Sequence, residues 1–104
     1  MIKGYYINLE SSQARKAALV ENLKSLGIEH VYKRFNAIKG DLSEARKSNL
    51  KAGELGLWNS WISLLSQETQ NTENNFRYLH IIEDDVILNE ITTKALKRLD
   101  QHDE

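Results

Sequence analysis

Apolar and polar residues alternate in blocks that predict a strand and then a helix at the start of the chain. The strand is the aromatic and β-branched run at residues 5–9, which has the length of a buried strand. Behind it, apolar residues recur at helical spacing: Leu19, Val20, Leu23 and Leu26. This periodicity predicts an amphipathic helix. We expect Ser11 and Ser12 to offer side-chain caps at its first turn, and Gly27 to end it in a left-handed conformation.

Residues 30–51 predict a second strand followed by a polar connection. Over residues 30–35, Val31, Lys33 and Phe35 alternate with Tyr32 and Arg34, which is the period of two residues expected of a strand. The residues that follow are mostly polar, and they indicate a turn at Gly40 and Asp41 and a short helix at residues 43–49.

Residues 53–70 carry the strongest helical pattern in the chain. One apolar stripe runs along them, made of Leu55, Trp58, Ile62 and Leu65 and widened by Trp61 and Leu64. A stripe of this width is typical of a helix that packs on a core. We therefore expect Trp58 and Trp61 to be core anchors.

The last third of the chain predicts another strand and another helix. The polar run at residues 70–75 indicates a surface loop, and an apolar strand follows at residues 78–82. A helix is predicted at residues 89–99, with an apolar face made of Ile91, Ala95 and Leu99. A charged tail includes residues 101–104.

The alternation of strands and helices predicts an α/β fold, in which crossover helices connect the strands of a sheet. In such sheets, ligands bind beyond the carboxyl ends of the strands. This rule selects three segments as candidate binding regions: residues 8–15, 36–40 and 83–85.

Composition narrows the class of protein. With 104 residues, the chain has room for one domain with a modest core. The net charge of −1 argues against a nucleic-acid partner, which requires a clustered basic face. The absence of cysteine excludes disulfides and thiolate metal sites. No apolar run has the length of a signal peptide or a membrane span, so we expect a cytoplasmic protein without a transmembrane segment.

Three adjacent carboxylates, Glu83, Asp84 and Asp85, follow the apolar third strand. Adjacent carboxylates repel one another unless a cation or a donor group lies nearby. Glu83 and Asp85 lie on the same side of an extended chain and suit Mg²⁺ or Mn²⁺, which prefer oxygen ligands. Two other interpretations stay open. One is a solvated acidic turn. The other is a phosphoacceptor receiver domain, although its acidic pair would follow the first strand, where Glu10 is the only carboxylate.

Three blocks of sequence resemble glycosyltransferase family 25, whose members include bacterial lipooligosaccharide galactosyltransferases. The first block is Tyr6-Ile7-Asn8-Leu9 followed by Arg15. The second is Phe35-Asn36-Ala37 with Gly40. The third pairs Leu50-x-x-Gly53-Glu54-Leu55-Gly56 with Ile82-Glu83-Asp84-Asp85-Val86. Their order and spacing fit residues 1–104 as the N-terminal, nucleotide-sugar-binding half of a single family domain.

The resemblance implies a GT-A type fold, a Rossmann-like sheet that binds a nucleotide sugar together with a divalent metal. Glu83, Asp84 and Asp85 would correspond to the family's acidic Asp-x-Asp element. In that correspondence Glu83 and Asp85 hold manganese, while Glu83 and Asp84 also lie near the nucleotide. Asn8 and Arg15 would lie beside the nucleotide at the end of the first strand.

The function that the resemblance implies is the metal-assisted, inverting transfer of a hexose to a cell-surface glycan such as lipooligosaccharide. The donor would be UDP-galactose and the cofactor Mn²⁺ or Mg²⁺. The expected partners are the nucleotide sugar and the glycan acceptor. Peripheral membrane association and an oligomer that covers the truncated sheet are further expectations. No residue is assigned as the catalytic base.

The chain departs from the family pattern at residues 57–61. Relatives usually continue with Cys-x-x-Ser-His, whereas this chain has Leu57-Trp58-Asn59-Ser60-Trp61 and keeps only the serine. Trp61 neither titrates nor binds metal, and family members are much longer. An alternative therefore stays open, namely a catalytically inactive remnant or a nucleotide-sugar-binding or interaction module.

Overall fold

A computed structural model describes residues 2–47, 51–70 and 78–101. It contains three strands, β1 (Ile2–Asn8), β2 (Tyr32–Asn36) and β3 (Tyr78–Glu83). The helices are α1 (Gln13–Ser25), α2 (Leu42–Lys47), α3 (Ala52–Gln70) and α4 (Glu90–Gln101), and a 3₁₀ turn lies at Glu29–Val31. The predicted loop at residues 70–75 lies almost wholly outside the described residues, as do the end of the predicted short helix and most of the charged tail.

The strands of the described residues form one sheet in the order β2-β1-β3. β1 and β3 are parallel, and their register runs from Ile2 opposite Tyr78 to Ile7 opposite Glu83. This pairing makes β1 three residues longer at its start than the sequence predicts, and β1 ends before Leu9. The α/β class predicted from the order of elements is confirmed.

The chain divides into two compact units, Met1–Phe35 with Asn75–Glu104, and Asn36–Asn74. The core of the first unit joins the sheet to helices α1 and α4. Its buried members are Tyr6, Leu19, Leu23, Ile28, Tyr32, Ile82 and Leu96. Residues 5–8 of β1 are all buried, as expected for the central strand of a parallel sheet covered on both faces.

Helix α1 ends as its sequence predicts. Gly27 has φ +71°, the left-handed conformation that glycine adopts without a steric cost. The Gly27 N–H donates to the Lys24 carbonyl at 3.0 Å, and the Ile28 N–H donates to the Leu23 carbonyl at 3.0 Å. This pair of bonds is a Schellman motif, and it places Ile28 against Leu23 in the core.

The start of α1 differs from the prediction. Ser12 occupies the N-cap position, but its hydroxyl makes no capping hydrogen bond. Ser12 has φ −95° and ψ 61°, outside the extended region that capping serines usually adopt. The side-chain capping role expected for Ser11 and Ser12 is therefore wrong.

Helix α3 buries a different face from the one its apolar stripe predicts. The buried residues are Gly56, Ser60, Leu64 and Glu68, one row spaced four residues apart. Trp58 is 60% exposed, and Ile62 and Leu65 are also exposed. The prediction that Trp58 is a core anchor is therefore wrong, and Trp61 is only partly buried.

Close backbone packing within the second unit explains this choice of face. A Cβ added at Gly56 would lie 2.6 Å from the Ile38 carbonyl oxygen and 2.7 Å from the Gly40 nitrogen. The Ser60 hydroxyl accepts a hydrogen bond from the Ile38 N–H at 2.8 Å and donates to the Gly56 carbonyl at 2.8 Å. Small residues on this face let the chain near Gly40 approach the helix more closely than large apolar side chains would allow.

Helix α4 also turns a different face inward. Leu96 is its buried residue, whereas Ile91 is 73% exposed and Ala95 is exposed. Thr92 and Thr93 are partly buried with Leu96. The inward face therefore contains threonines, which an apolar pattern does not detect. The prediction that Ile91 and Ala95 face the core is wrong, whereas Leu99 is partly buried.

Candidate functional site

The buried amide of Asn8 joins the ends of two strands. Asn8 is the last residue of β1 and is 1% exposed. Its Nδ2 donates to Asp84 Oδ2, just beyond β3, at 2.8 Å. Because β1 and β3 are parallel, their carboxyl ends meet at the same edge of the sheet. The structure therefore brings together two residues that are 76 positions apart in sequence.

Asn8 also positions the start of α1. The second hydrogen bond of Nδ2 goes to the Ser12 carbonyl at 3.1 Å. A buried polar amide needs partners, and here both protons of the Asn8 amide are used within the protein. The polar residue in an otherwise apolar strand thus connects three segments: the end of β1, the start of α1 and the turn after β3.

Arg15 lies above this junction on α1. Its Nη1 is 3.7 Å from Asp84 Oδ1, and the side chains of Arg15 and Asp84 are 64% and 12% exposed. An ion pair with one partner so exposed contributes little to stability. The Arg15 guanidinium is thus near the strand ends and accessible from solvent, which suits a group that meets an anionic ligand.

Arg34 completes the arrangement and was not identified from the sequence. Its Nε donates to Asn8 Oδ1 at 3.0 Å, and its Nη2 donates to the Asn8 carbonyl at 2.9 Å. In the predicted strand Arg34 shares a side with Tyr32, and no role was assigned to it. The available signal was Asn8 itself, because a buried amide oxygen requires a hydrogen-bond donor, although the sequence does not say which residue supplies it. We refer to Asn8, Arg15, Arg34 and Asp84 as the strand-end cluster.

Glu83 and Asp85 flank Asp84 but have different surroundings. Glu83 is the last residue of β3, opposite Ile7, and is partly buried, whereas Asp85 is exposed in the following turn. The Val86 N–H donates to the Glu83 carbonyl at 3.4 Å across this turn.

A divalent cation at these carboxylates would need substrate phosphates and water to complete its coordination. The described residues hold no group of three or more His, Cys, Asp or Glu side chains placed to bind a metal. Mg²⁺ is commonly held by one or two carboxylates, with substrate phosphates and water in the other positions. Two carboxylates such as Glu83 and Asp85 would be a donor set of that sparse kind, and they do not form an all-protein cage.

A second asparagine fixes the chain beyond residues 83–85, which we call the acidic turn. Asn22 Nδ2 donates to the Leu88 carbonyl at 3.0 Å, and the Leu88 N–H donates to Asn22 Oδ1 at 2.8 Å. The connection from β3 to α4 is therefore anchored to Asn8 at Asp84 and to α1 at Leu88. Asn22 lies on α1 among polar residues, and nothing in its sequence context distinguished it.

The other predicted binding region, residues 36–40, has structural contacts. Ile38 and Gly40 pack through their backbones on Gly56 and Ser60 of α3. Ser60 is fully buried and bonded on both sides. The serine that this chain keeps from the family pattern is thus a structural residue.

His80, opposite Gly4 within β3, also has a structural contact. Tyr32 Oη and His80 Nδ1 are 2.6 Å apart, on strands that flank β1 on either side. Burial lowers the pKa of His80 and raises the pKa of Tyr32 to about 12. Around neutral pH the phenol therefore stays protonated and donates to a neutral imidazole.

An apolar groove of about 620 Å³ lies between β3 and α4. Among the residues that the structure describes, those lining the groove include Ile2, Leu88, Ile91 and Leu99, and none is an aspartate, glutamate, lysine or arginine. An apolar lining of this kind does not suit a nucleotide diphosphate, which requires cationic or donor groups. The strand-end cluster, with two arginines and adjacent carboxylates, has that chemistry.

An α/β sheet with a polar cluster at the carboxyl ends of its strands is the framework of many nucleotide-binding enzymes. A family model described as Glycosyltransferase family 25 (LPS biosynthesis protein) matches residues 1–104. The chain belongs to glycosyltransferase family 25, which confirms the resemblance found in its sequence. Comparisons with curated proteins and with solved structures gave no match. No helix in the described ranges is long and apolar enough to cross a membrane.

Proposed function

We propose that the strand-end cluster and the acidic turn bind the nucleotide sugar of a metal-assisted hexosyltransferase. The donor in this proposal is UDP-galactose, the fold is of the GT-A type, and the acceptor is a cell-surface glycan such as lipooligosaccharide. Transfer proceeds with inversion at the anomeric carbon. Membership of family 25 supports a glycosyltransferase, and the finer assignments are the proposal.

The observation that carries the proposal is the meeting of Asn8, Arg15 and Asp84 at one edge of the sheet. The resemblance assigned the same three residues to the nucleotide from sequence alone. An exposed arginine beside a buried amide network offers a diphosphate a charged donor without requiring the fold to rearrange. Asp84 is already bonded to Asn8, so its role is to shape the site around the nucleotide.

Glu83 and Asp85 are the proposed metal ligands. Asp85 is exposed, so a cation bound there would still have open positions for phosphate oxygens. When bound, Mn²⁺ or Mg²⁺ neutralises charge that develops on the diphosphate leaving group. Arg15 stabilises the same charge from its place on α1.

A second candidate function is a module that binds the nucleotide sugar without transferring it. Trp61 stands where the family pattern has histidine, and Ser60 is used by backbone hydrogen bonds. Neither residue can therefore take a proton from an acceptor hydroxyl, which inverting transfer requires. The two candidates share the donor site and differ only in turnover.

Calorimetric titration of UDP into the protein, with and without Mn²⁺, tests the shared site. We expect binding that Mn²⁺ strengthens, and we expect Asp85→Asn and Glu83→Gln to remove the metal dependence while keeping side-chain shape. Arg15→Ala should weaken UDP binding about tenfold or more, because a charge-assisted contact is lost.

The matched control is Glu21→Gln, which changes an exposed carboxylate in the middle of α1. It should bind UDP as the unaltered protein does. Absence of UDP binding with and without metal would refute the donor-site proposal. Incubation with UDP-galactose then separates the two candidates: release of free sugar or transfer to glycan favours the transferase, and binding without turnover favours the module.

A cytoplasmic location with peripheral membrane association accompanies the transferase proposal. Fractionation of cells that express the chain, before and after a salt wash, tests both parts. Gel filtration tests the oligomer expected to cover the edge of the sheet.

A further inference from the structure

Arg34 holds Asn8 with two hydrogen bonds at once. Its Nε reaches the side-chain oxygen of Asn8 at 3.0 Å and its Nη2 reaches the backbone carbonyl of the same residue at 2.9 Å. The planar guanidinium matches a pair of oxygens in this way, whereas a lysine ammonium is a single point donor. Arg34 lies on β2, the neighbour of β1 in the sheet.

This contact determines which way the Asn8 amide points. A guanidinium only donates hydrogen bonds, so the oxygen of the amide has to face Arg34. The amide nitrogen then faces the Asp84 carboxylate and the Ser12 carbonyl, both of which accept. The flipped amide would set its oxygen against the Asp84 carboxylate and its N–H groups against Arg34, which is unfavourable on both sides.

The order of contacts therefore runs from Arg34 through Asn8 to Asp84. Asp84 is held 2.8 Å from the Asn8 nitrogen, and Arg15 lies 3.7 Å from the other carboxylate oxygen. Burial raises the pKa of Tyr6, and the positive charge of Arg34 partly offsets that rise. The two hydrogen bonds to Asn8 therefore connect Arg34 to Asp84 through the Asn8 amide.

We propose that Arg34 is a positioning residue of the nucleotide-sugar site. It orients the Asn8 amide, and the oriented amide holds Asp84 and the acidic turn in place. This inference rests on the proposed function, because it assigns a role within that donor site. It adds a residue that the sequence did not suggest. It also predicts that Arg34 has no independent effect on binding once Asn8 is removed.

A double-mutant cycle with UDP and Mn²⁺ as the probe tests the dependence on Asn8. Arg34→Gln should weaken UDP binding about tenfold or more in the unaltered background, and should change it little in an Asn8→Ala background. Arg34→Lys keeps the charge but cannot bridge both oxygens of Asn8, so its affinity for UDP should lie between those of the unaltered protein and Arg34→Gln. Lys33→Gln, an exposed neighbour on the same strand, is the control and should bind normally.

The side-chain amide signal of Asn8 in a ¹H–¹⁵N spectrum supplies a readout that does not depend on ligand. We expect separate, slowly exchanging protons in the unaltered protein and in Lys33→Gln, and shifted or averaged protons in Arg34→Gln. Circular dichroism confirms that each variant is folded. If all variants fold and the Asn8 signal is the same in Arg34→Gln as in the unaltered protein, Arg34 does not orient the amide.

The two proposals fail in different ways. Absence of UDP binding by the unaltered protein refutes the donor site, and the Asn8 signal then shows whether Arg34 orients the amide. Normal UDP binding with an equal loss for Arg34→Gln in both backgrounds overturns the positioning role, because Arg34 would then act independently of Asn8.

Discussion

Gly4 on the central strand gives the Tyr32 ring the space to reach across the sheet. A Cβ at Gly4 would lie 2.6 Å from Tyr32 Cδ1 and 2.9 Å from the Val31 carbonyl oxygen. Gly4 pairs with His80 in the register of β1 and β3, and the Tyr32 hydroxyl bonds to that histidine. A missing side chain on one strand therefore permits a hydrogen bond between the two strands beside it.

Gly4→Ala should destabilise the fold by about 1–3 kcal/mol, because the added methyl displaces a buried ring against a fixed carbonyl. Urea denaturation measures the change. Gly53→Ala is the matched control, since a Cβ there meets nothing within 4 Å and alanine favours helix. Equal stability of the two variants would show that the Tyr32 ring moves aside without cost.

Among single residues, the sequence predicted those whose role depends on local structure and those that are polar within an apolar segment. Gly27 was predicted because a helix end favours a left-handed residue, whatever packs around it. Asn8 was assigned through the family resemblance, and a polar amide in an apolar strand requires partners in any case. Arg34 was not predicted, since its role depends on which strand lies next to β2, and strand order is a property of the folded sheet.

The connection between β3 and α4 carries the acidic turn and is fixed from both sides. Asp84 bonds to Asn8, and Leu88 makes two backbone hydrogen bonds with the Asn22 side chain. The carboxylates of the turn therefore have a defined position relative to α1. Since three adjacent carboxylates repel one another, such anchoring maintains a geometry that electrostatics alone would loosen.

Asn22→Ala removes both bonds to Leu88 and should cost about 1–3 kcal/mol of stability, because a partly buried N–H and carbonyl lose their partner. Hydrogen exchange at the Leu88 amide should accelerate more than the global loss of stability explains. Asn22→Asp keeps the acceptor and should preserve part of the protection of that amide. Unchanged exchange in Asn22→Ala would mean that the turn is held by Asp84 alone.

Helix α3 shows where apolar periodicity misleads. Its large apolar side chains, including Trp58 and Ile62, lie on an exposed face, while Gly56 and Ser60 lie on the buried one. Periodicity identifies the face with the most apolar area, but close backbone packing selects small residues instead. The existence of the helix was predictable, and its orientation was not.

Ser60→Ala tests the buried face of α3. The Ile38 N–H loses its acceptor, so we expect a loss of about 1–3 kcal/mol in the free energy of unfolding. Ser63→Ala, on the exposed side of the same helix, should be neutral or slightly stabilising, because alanine has the higher helix propensity. Thermal denaturation of the pair separates the two effects, and similar values for both would contradict the structural role of Ser60.

Over the whole chain, the candidate site is assembled from segments that are distant in sequence. Asn8, Arg34 and Asp84 each lie at or near the end of a different strand, and the parallel pairing of β1 with β3 makes two of these ends coincide. The α/β pattern predicted which strand ends to examine, since ligands bind at that edge. It could not predict the bonds among the side chains, because these depend on strand order and register.

The pair of buried Tyr32 and half-buried His80 links the stability of the protein to pH. Burial lowers the pKa of His80 below its ordinary value of 6.5, so the unfolded chain takes up this proton first as pH falls. The stabilising contribution is complete above about pH 6.5 and declines below it. Burial raises the pKa of Tyr32 from 10.0 to about 12, so on the alkaline side stability is complete below pH 10.0 and declines towards 12. Burial also raises the pKa of Tyr6, which adds to the alkaline decline.

Urea denaturation between about pH 5 and pH 8 should therefore show stability falling on the acid side, and His80→Gln should flatten that slope because the titrating group is gone. Tyr32→Phe should lower stability at neutral pH, since His80 Nδ1 loses its donor, and should reduce the decline above pH 10.0. His30→Gln is the control, because it replaces an exposed histidine in the same way without touching the Tyr32–His80 bond. An acid slope that persists unchanged in His80→Gln would assign the pH dependence to other groups and leave the Tyr32–His80 bond as a packing contact between neutral side chains.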